Sequence, residues 1–168
     1  PLFVVPTLRA RRRKRRDESL TGWYASLACG PLTGAVGLAA LIWPTPRLGI
    51  AFVVLAVWGW AGFALHGMLC RIVPFLVWFH RLSPHVGTAP VPPMRKLLSQ
   101  ERIRAALAVH GISAVLLLAA VGAQSDLLAR LAGAALIATA AALAANLISV
   151  LRVRGPGGVR PAPATLVG

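Results

Sequence analysis

Four histidines, His66, His80, His85 and His110, are the side chains best suited to chemistry in this chain. His66 and His110 lie inside long apolar stretches, where an ionisable group is costly and by default marks a working site. His66 is one helical turn before Cys70, ~6 Å from the end of its stretch at that side, and His110 is seven residues after Ile103, ~10 Å from the same side. The two imidazoles therefore sit at similar depth on different helices. Neutral imidazole nitrogens from facing helices can hold a haem iron, so His66 and His110 are candidate axial ligands of a haem b. Arg71 is placed to pair with a haem propionate. Gly59 and Gly62 precede His66 by seven and four residues on the same face and clear space beside its ring. A flat cofactor or another helix can use that space. Ala106 and Ser113 flank His110 on its own face. The alternatives are a metal other than haem iron, or a plain hydrogen bond from each ring to a neighbouring helix. His80 and His85 border a loop and are expected to meet solvent or headgroups.

Other chemistry has little support. There are no paired carboxylates, no nucleophile elbow and no glycine-rich phosphate loop. Glu101 and Asp126 belong to polar turns. Cys29 and Cys70 form no CxxC pair, which argues against a structural zinc site or a redox dithiol. Asn146 is the strongly polar residue of its apolar stretch and is expected to bond between helices.

The elements that must position these residues are membrane spans. Hydrophobic residues make up 57% of the 168 residues and charged residues 13%. Long uncharged runs of this kind fit solvation by lipid. The pattern predicts an all-α integral membrane bundle of four transmembrane helices, with a kinked or interfacial extension after the second. The spans are read at about 22–43, 48–70 with an extension to 80, 103–122 and 127–151, within a membrane domain of 22–153. Trp23, Tyr24 and Trp43 mark the ends of the first span as an aromatic belt does. Gly30, Gly34 and Gly37 give it a small face, as Ala134, Ala138 and Ala142 give the fourth. Pro31 is placed to bend the first. One straight helix over 48–79 would measure ~48 Å against ~30 Å of hydrocarbon. A bend at Pro74, laying Phe75, Trp78 and Phe79 along the interface, is therefore expected. Residues 94–104 form a basic amphipathic stretch suited to the membrane surface, and Ser99 is placed to cap the third helix.

The net charge of +14 would suggest nucleic acid in a soluble protein. Here the basic residues sit between apolar stretches, and no stacking platform accompanies them, so nucleic acid is not an expected partner. Arg9, Arg11, Arg12, Arg13, Lys14, Arg15 and Arg16 crowd one segment, within 1–21. Arg81, Arg95, Lys96, Arg102 and Arg104 lie in the middle loop and its flank, and Arg152, Arg154 and Arg160 in the tail. The opposite turns carry Arg47, with Arg130 one turn into the fourth span. The positive-inside rule places both termini and the middle loop in the cytoplasm, near anionic headgroups of the lipid bilayer. The tail over 154–168, rich in Gly and Pro, is expected to be flexible. The apolar start Pro1-Leu2-Phe3-Val4-Val5-Pro6 reads like the end of an earlier helix, so helices missing upstream are expected.

The block His66-Gly67-Met68-Leu69-Cys70-Arg71-Ile72-Val73-Pro74-Phe75-Leu76-Val77-Trp78-Phe79-His80-Arg81, with Gly87 and Val91-Pro92 after it and the basic run Arg11 to Arg16 before it, carries a resemblance. Over roughly residues 9–115 the chain resembles the C-terminal part of a group of bacterial polytopic membrane proteins loosely similar to the catalytic subunit of haem-copper oxidases. Met68 stands where that group often has His, and Cys70 where it often has an aromatic residue. The resemblance implies the bacterial inner membrane and an energy-converting setting. The resulting expectation is a membrane subunit, or a fragment of one, packing with other subunits in a respiratory or similar complex without catalysis of its own. A haem b electron-transfer protein using His66 and His110 is the alternative, and a transporter segment the third reading.

Overall fold

The computed structural model describes residues 19–155; the basic run over 9–16 and the tail beyond 155 lie outside the described residues. Among these, four helices are long and apolar enough to cross a membrane. They are α1 (Ser19–Ile42), α2 (a continuous helical run, Pro46–His85), α3 (Gln100–Ala123) and α4 (Asp126–Leu151). The fold is an all-α four-helix bundle.

Short polar signals set the helix ends. Thr45 accepts a hydrogen bond from the Leu48 N–H at 3.4 Å, and Pro46 follows at the first helical position, where its missing N–H costs nothing. Ser99 caps α3 through the Arg102 N–H at 3.2 Å. Gln124 then takes a left-handed conformation, φ 50°, that stops α3, and Ser125 caps α4 through Leu128. The Arg47 guanidinium donates to Gln124 Oε1, so the α1–α2 and α3–α4 turns share one end of the bundle. At the other end Arg81 donates to the carbonyls of Leu151 and Val153, at 2.6 and 3.0 Å, and so covers the open end of α4.

The second helix is longer than a simple crossing, as the sequence expectation had it. The helix continues through Pro74, which has no N–H to donate to Cys70 O, and the run ends with a π-helical turn at Trp78–Leu82 and a 3₁₀ turn at Ser83–His85. The expected extension beyond residue 70 is thus present and helical. Trp78 anchors the following loop by donating its indole N–H to the Pro92 carbonyl at 3.1 Å. The basic stretch over 94–104 is divided, with a 3₁₀ turn at Met94–Lys96 and α3 from Gln100. Helical structure also continues through Pro31 in α1.

The apolar core lies where the second half of α2 meets the start of α3 and the end of α4. Cys70, Val77, Leu98, Ile103, Leu107 and Val150 are buried together there. Along α1 the contact is glycine-mediated. A Cβ on Gly22 would stand 2.9 Å from the Phe63 carbonyl oxygen and 3.1 Å from Gly67 Cα, so α1 and α2 touch backbone to backbone.

Candidate functional site

The site begins with an irregularity in α2. Residues Val54–Ala61 are π-helical, with hydrogen bonds reaching five residues back. The Gly62 N–H bonds to the Val57 carbonyl, although in an α-helix its partner would be Trp58 O. Where the helix returns to α geometry at Gly62, Trp58 O has lost that partner. His110 of α3 takes its place, with Nε2 3.0 Å from Trp58 O. A carbonyl only accepts, so Nε2 carries the proton and donates. In the neutral ring, Nδ1 then holds the lone pair.

The imidazole is held on several sides. Trp58 lies 4.7 Å from it, centroid to centroid, and Phe63 meets it edge-on at 4.5 Å. A Cβ on Gly62 would sit 3.0 Å from His110 Cε1 and Nε2, so only glycine leaves the ring this close to α2. Trp58 donates its indole N–H to Ser113 Oγ at 2.8 Å, and Ser113 donates back to the His110 carbonyl at 2.7 Å. Thr139 of α4 bonds to Ala135 O at 2.9 Å and lies 3.4 Å from Ser113 Oγ. Asn146 donates to the Arg102 carbonyl at 3.3 Å, so α4 is tied to α3 by a second polar contact, between helices as expected.

His66 joins this cluster. Its ring lies 5.5 Å from that of His110 at an interplanar angle of 66°, and each residue is 2% exposed. His66 Nε2 and His110 Nδ1 are both buried without a hydrogen-bond partner. Arg71 is not brought to the pair. It is exposed, and five residues turn it about 140° around the helix from His66. His80 is exposed and bonds to the Leu76 carbonyl at 2.9 Å, and half-buried His85 stands near Gly155.

The arrangement does not fit a haem held between the two rings. A porphyrin with two axial imidazoles needs both rings to point along one axis with the macrocycle spread between them. Here the rings meet edge to face, and His110 Nε2 is engaged by the Trp58 carbonyl. The room beside the glycines is filled by neighbouring helices. His110 sits over Gly62, and Cys29 of α1 lies against Gly59.

Among the described residues no group of three or more His, Cys, Asp or Glu could hold a metal ion. No family model, no curated protein and no solved structure matches the chain. Trp58, Phe63 and Thr139 belong to the site but were not singled out by type or spacing. A tryptophan at the middle of a span is the signal that could have found Trp58, because an indole N–H in hydrocarbon needs an acceptor.

Proposed function

We propose that this chain is a non-catalytic membrane subunit, or part of one, that packs in a larger respiratory or other energy-converting complex of the bacterial inner membrane. The observation that carries this reading is a set of open small-residue faces. Gly34 has nothing within 4 Å of a Cβ built on it, and Ala134 and Ala138 are exposed on α4. Lipid provides no hydrophobic drive for helices to associate, so small faces work by letting another backbone come close. Inside the bundle, Ser113, Thr139 and Asn146 tie helix to helix or to their own backbone, as structural polar groups do. The likeness of the 66–81 block to the haem-copper group supports the energy-converting setting. The basic residues gathered on one side support cytoplasmic termini and contact with anionic headgroups.

The test is native mass spectrometry of the chain extracted from its own membrane in mild detergent. It is expected in a larger assembly, from which Gly34→Leu and Ala138→Leu release it while helix content is unchanged. A single monodisperse chain, unaffected by either substitution, overturns the reading. The juxtaposition of His66 and His110 favours the haem b electron-transfer protein as a second reading, although α2 and α3 would have to part to admit the group. An absorption spectrum of the same sample decides it. A Soret band lost in both His66→Ala and His110→Ala supports haem, and its absence rules haem out.

A further inference from the structure

The second helix is too long for the bilayer it crosses. Its run Pro46–His85 has 40 residues, about 60 Å at ~1.5 Å each, against about 40 to 45 Å for hydrocarbon and headgroups together. Exposed arginines fix where the excess lies. Arg47 and Arg71 stand about 36 Å apart along the helix and so bracket the ~30 Å hydrocarbon layer. Ile103 of α3 packs in one cluster with Cys70 and Val77, so the exposed Arg102 and Arg104 beside it mark the same level as Arg71. From there Phe75 is about 6 Å and Phe79 about 12 Å further out, while the headgroup layer is only about 5 to 8 Å deep. The end of α2 therefore stands in water, on the side where the basic residues gather.

One side of this overhang is covered, with Cys70, Pro74, Val77 and Leu82 buried. The other side bears Ile72, Phe75, Leu76 and Phe79, all exposed. They follow one another at i, i+3, i+4 and i+7, the anchor spacing of a helix that lays its apolar face into a groove of another protein. Phe75 and Phe79 are stacked, with centroids 5.9 Å apart and planes 22° apart, so two anchors already form one surface. A contiguous apolar strip in water marks an interaction site.

Charge at the edges of the strip selects its occupant. Arg71 stands at its membrane end. Trp78 ties the following loop to α2 through Pro92, and the Met94–Lys96 turn packs along Gly62–Val77, which brings the exposed Arg95 and Lys96 to this helix. Among the described residues Glu101 is the one carboxylate at this end. A second copy would set like charges against each other, and lipid does not reach Phe79. A groove rimmed by Asp and Glu complements both the apolar strip and its basic edge.

We propose that Ile72, Phe75, Leu76 and Phe79 form a docking helix for a partner protein on the water side, one with an apolar groove rimmed by carboxylates. This surface is separate from the small-residue faces inside the bilayer and does not depend on assembly through them.

The test is labelling of Phe79→Cys and Leu76→Cys chains by a charged, water-soluble maleimide. It is run in native membrane fragments open on both sides, and after purification into lipid nanodiscs. The unaltered chain, whose Cys29 and Cys70 lie within α1 and α2, gives the background. In nanodiscs of neutral or of anionic lipid both variants are expected to label, whereas Ile137→Cys, exposed at the middle of α4, is not. In native membranes labelling of both is expected to slow about tenfold, the factor for a partner present at ~10 times its Kd. The nanodisc rate is expected to return in ~1 M salt, where charges are screened within ~3 Å, and at low salt in chains that also carry Arg71→Glu and Lys96→Glu. Slow labelling in nanodiscs places the strip in lipid and overturns the proposal. So do equal rates in the two settings for both variants, or protection that survives both salt and charge reversal. A disulfide-linked pair of Phe79→Cys chains, formed in native membranes under mild oxidation, makes the occupant a second copy and overturns it too.

Discussion

The hydrogen bond from the Trp58 indole to Ser113 Oγ gives the sharpest test of how α2 is held to α3. At 2.8 Å it joins two helices, and Ser113 is fully buried, so water cannot replace the lost partner. Interhelical bonds in membranes average about 0.6 kcal/mol and reach about 1.7, because the separated helices also find partners. Burial puts this one in the upper part of that range, at about 1 to 1.5 kcal/mol. Ser113→Ala also removes the donation to the His110 carbonyl, but that oxygen keeps its helical partner, and Thr139 keeps Ala135 O at 2.9 Å. Trp58→Phe removes the donor and also some packing, so neither single variant isolates the bond. The double-mutant cycle does. Unfolding in mixed micelles of mild detergent and dodecyl sulfate, followed by far-ultraviolet dichroism, is expected to give a coupling of about 1 to 1.5 kcal/mol. This is roughly a five- to twelve-fold change in the unfolding constant. Additivity within about 0.3 kcal/mol would show that the two side chains do not act together and would refute this account of the α2–α3 contact.

Two further outcomes follow from close contacts. Gly22→Ala would drive a Cβ to 2.9 Å from the Phe63 carbonyl oxygen, a backbone atom that yields only if α1 moves away. A loss of about 1 to 3 kcal/mol is expected in the same unfolding assay, while Gly34→Ala, facing open space, is neutral within about 0.5 kcal/mol in the isolated chain. Arg81→Ala uncovers the Leu151 and Val153 carbonyls. It is expected to cost about 0.5 to 1.5 kcal/mol locally and to speed amide hydrogen exchange over the last turn of α4, with the Trp58 region unchanged.

The spans were readable because lipid leaves a chain few options. An uncharged run of about 20 residues must be helical to satisfy its own backbone, so composition and length suffice. The expected spans at 22–43, 48–70, 103–122 and 127–151 overlap α1 to α4 closely. Local chemistry was readable too, as with the Ser99 cap and the interhelical bond of Asn146. Pro74 stands inside α2 although its missing N–H disfavours a helix interior by local rules. Packing overrides that preference, since Pro74 is buried and its neighbours Cys70 and Val77 belong to the core.

The π-helical segment was not readable, and it determines the site. Reading faces from a sequence assumes 3.6 residues per turn, which puts Gly59, Gly62 and His66 on one face with room for a cofactor. Inserting π geometry over Val54–Ala61 changes that register and directs Trp58 O to His110. Each feature then accounts for the other. Without His110, the return from π to α at Gly62 would leave a carbonyl unpaired inside the bundle. Without the π segment, His110 would have a second ring nitrogen buried without a partner. A histidine in hydrocarbon is costly in isolation, and a π turn is costly in isolation, but together they satisfy one donor and one acceptor. What the pairing leaves over is a single buried lone pair on Nδ1, on a ring 5.5 Å from that of His66, whose Nε2 is also unpartnered. The histidines thus differ in role: His110 secures the fold through its bond to Trp58 O, whereas burial of the His66 Nε2 has no such structural explanation.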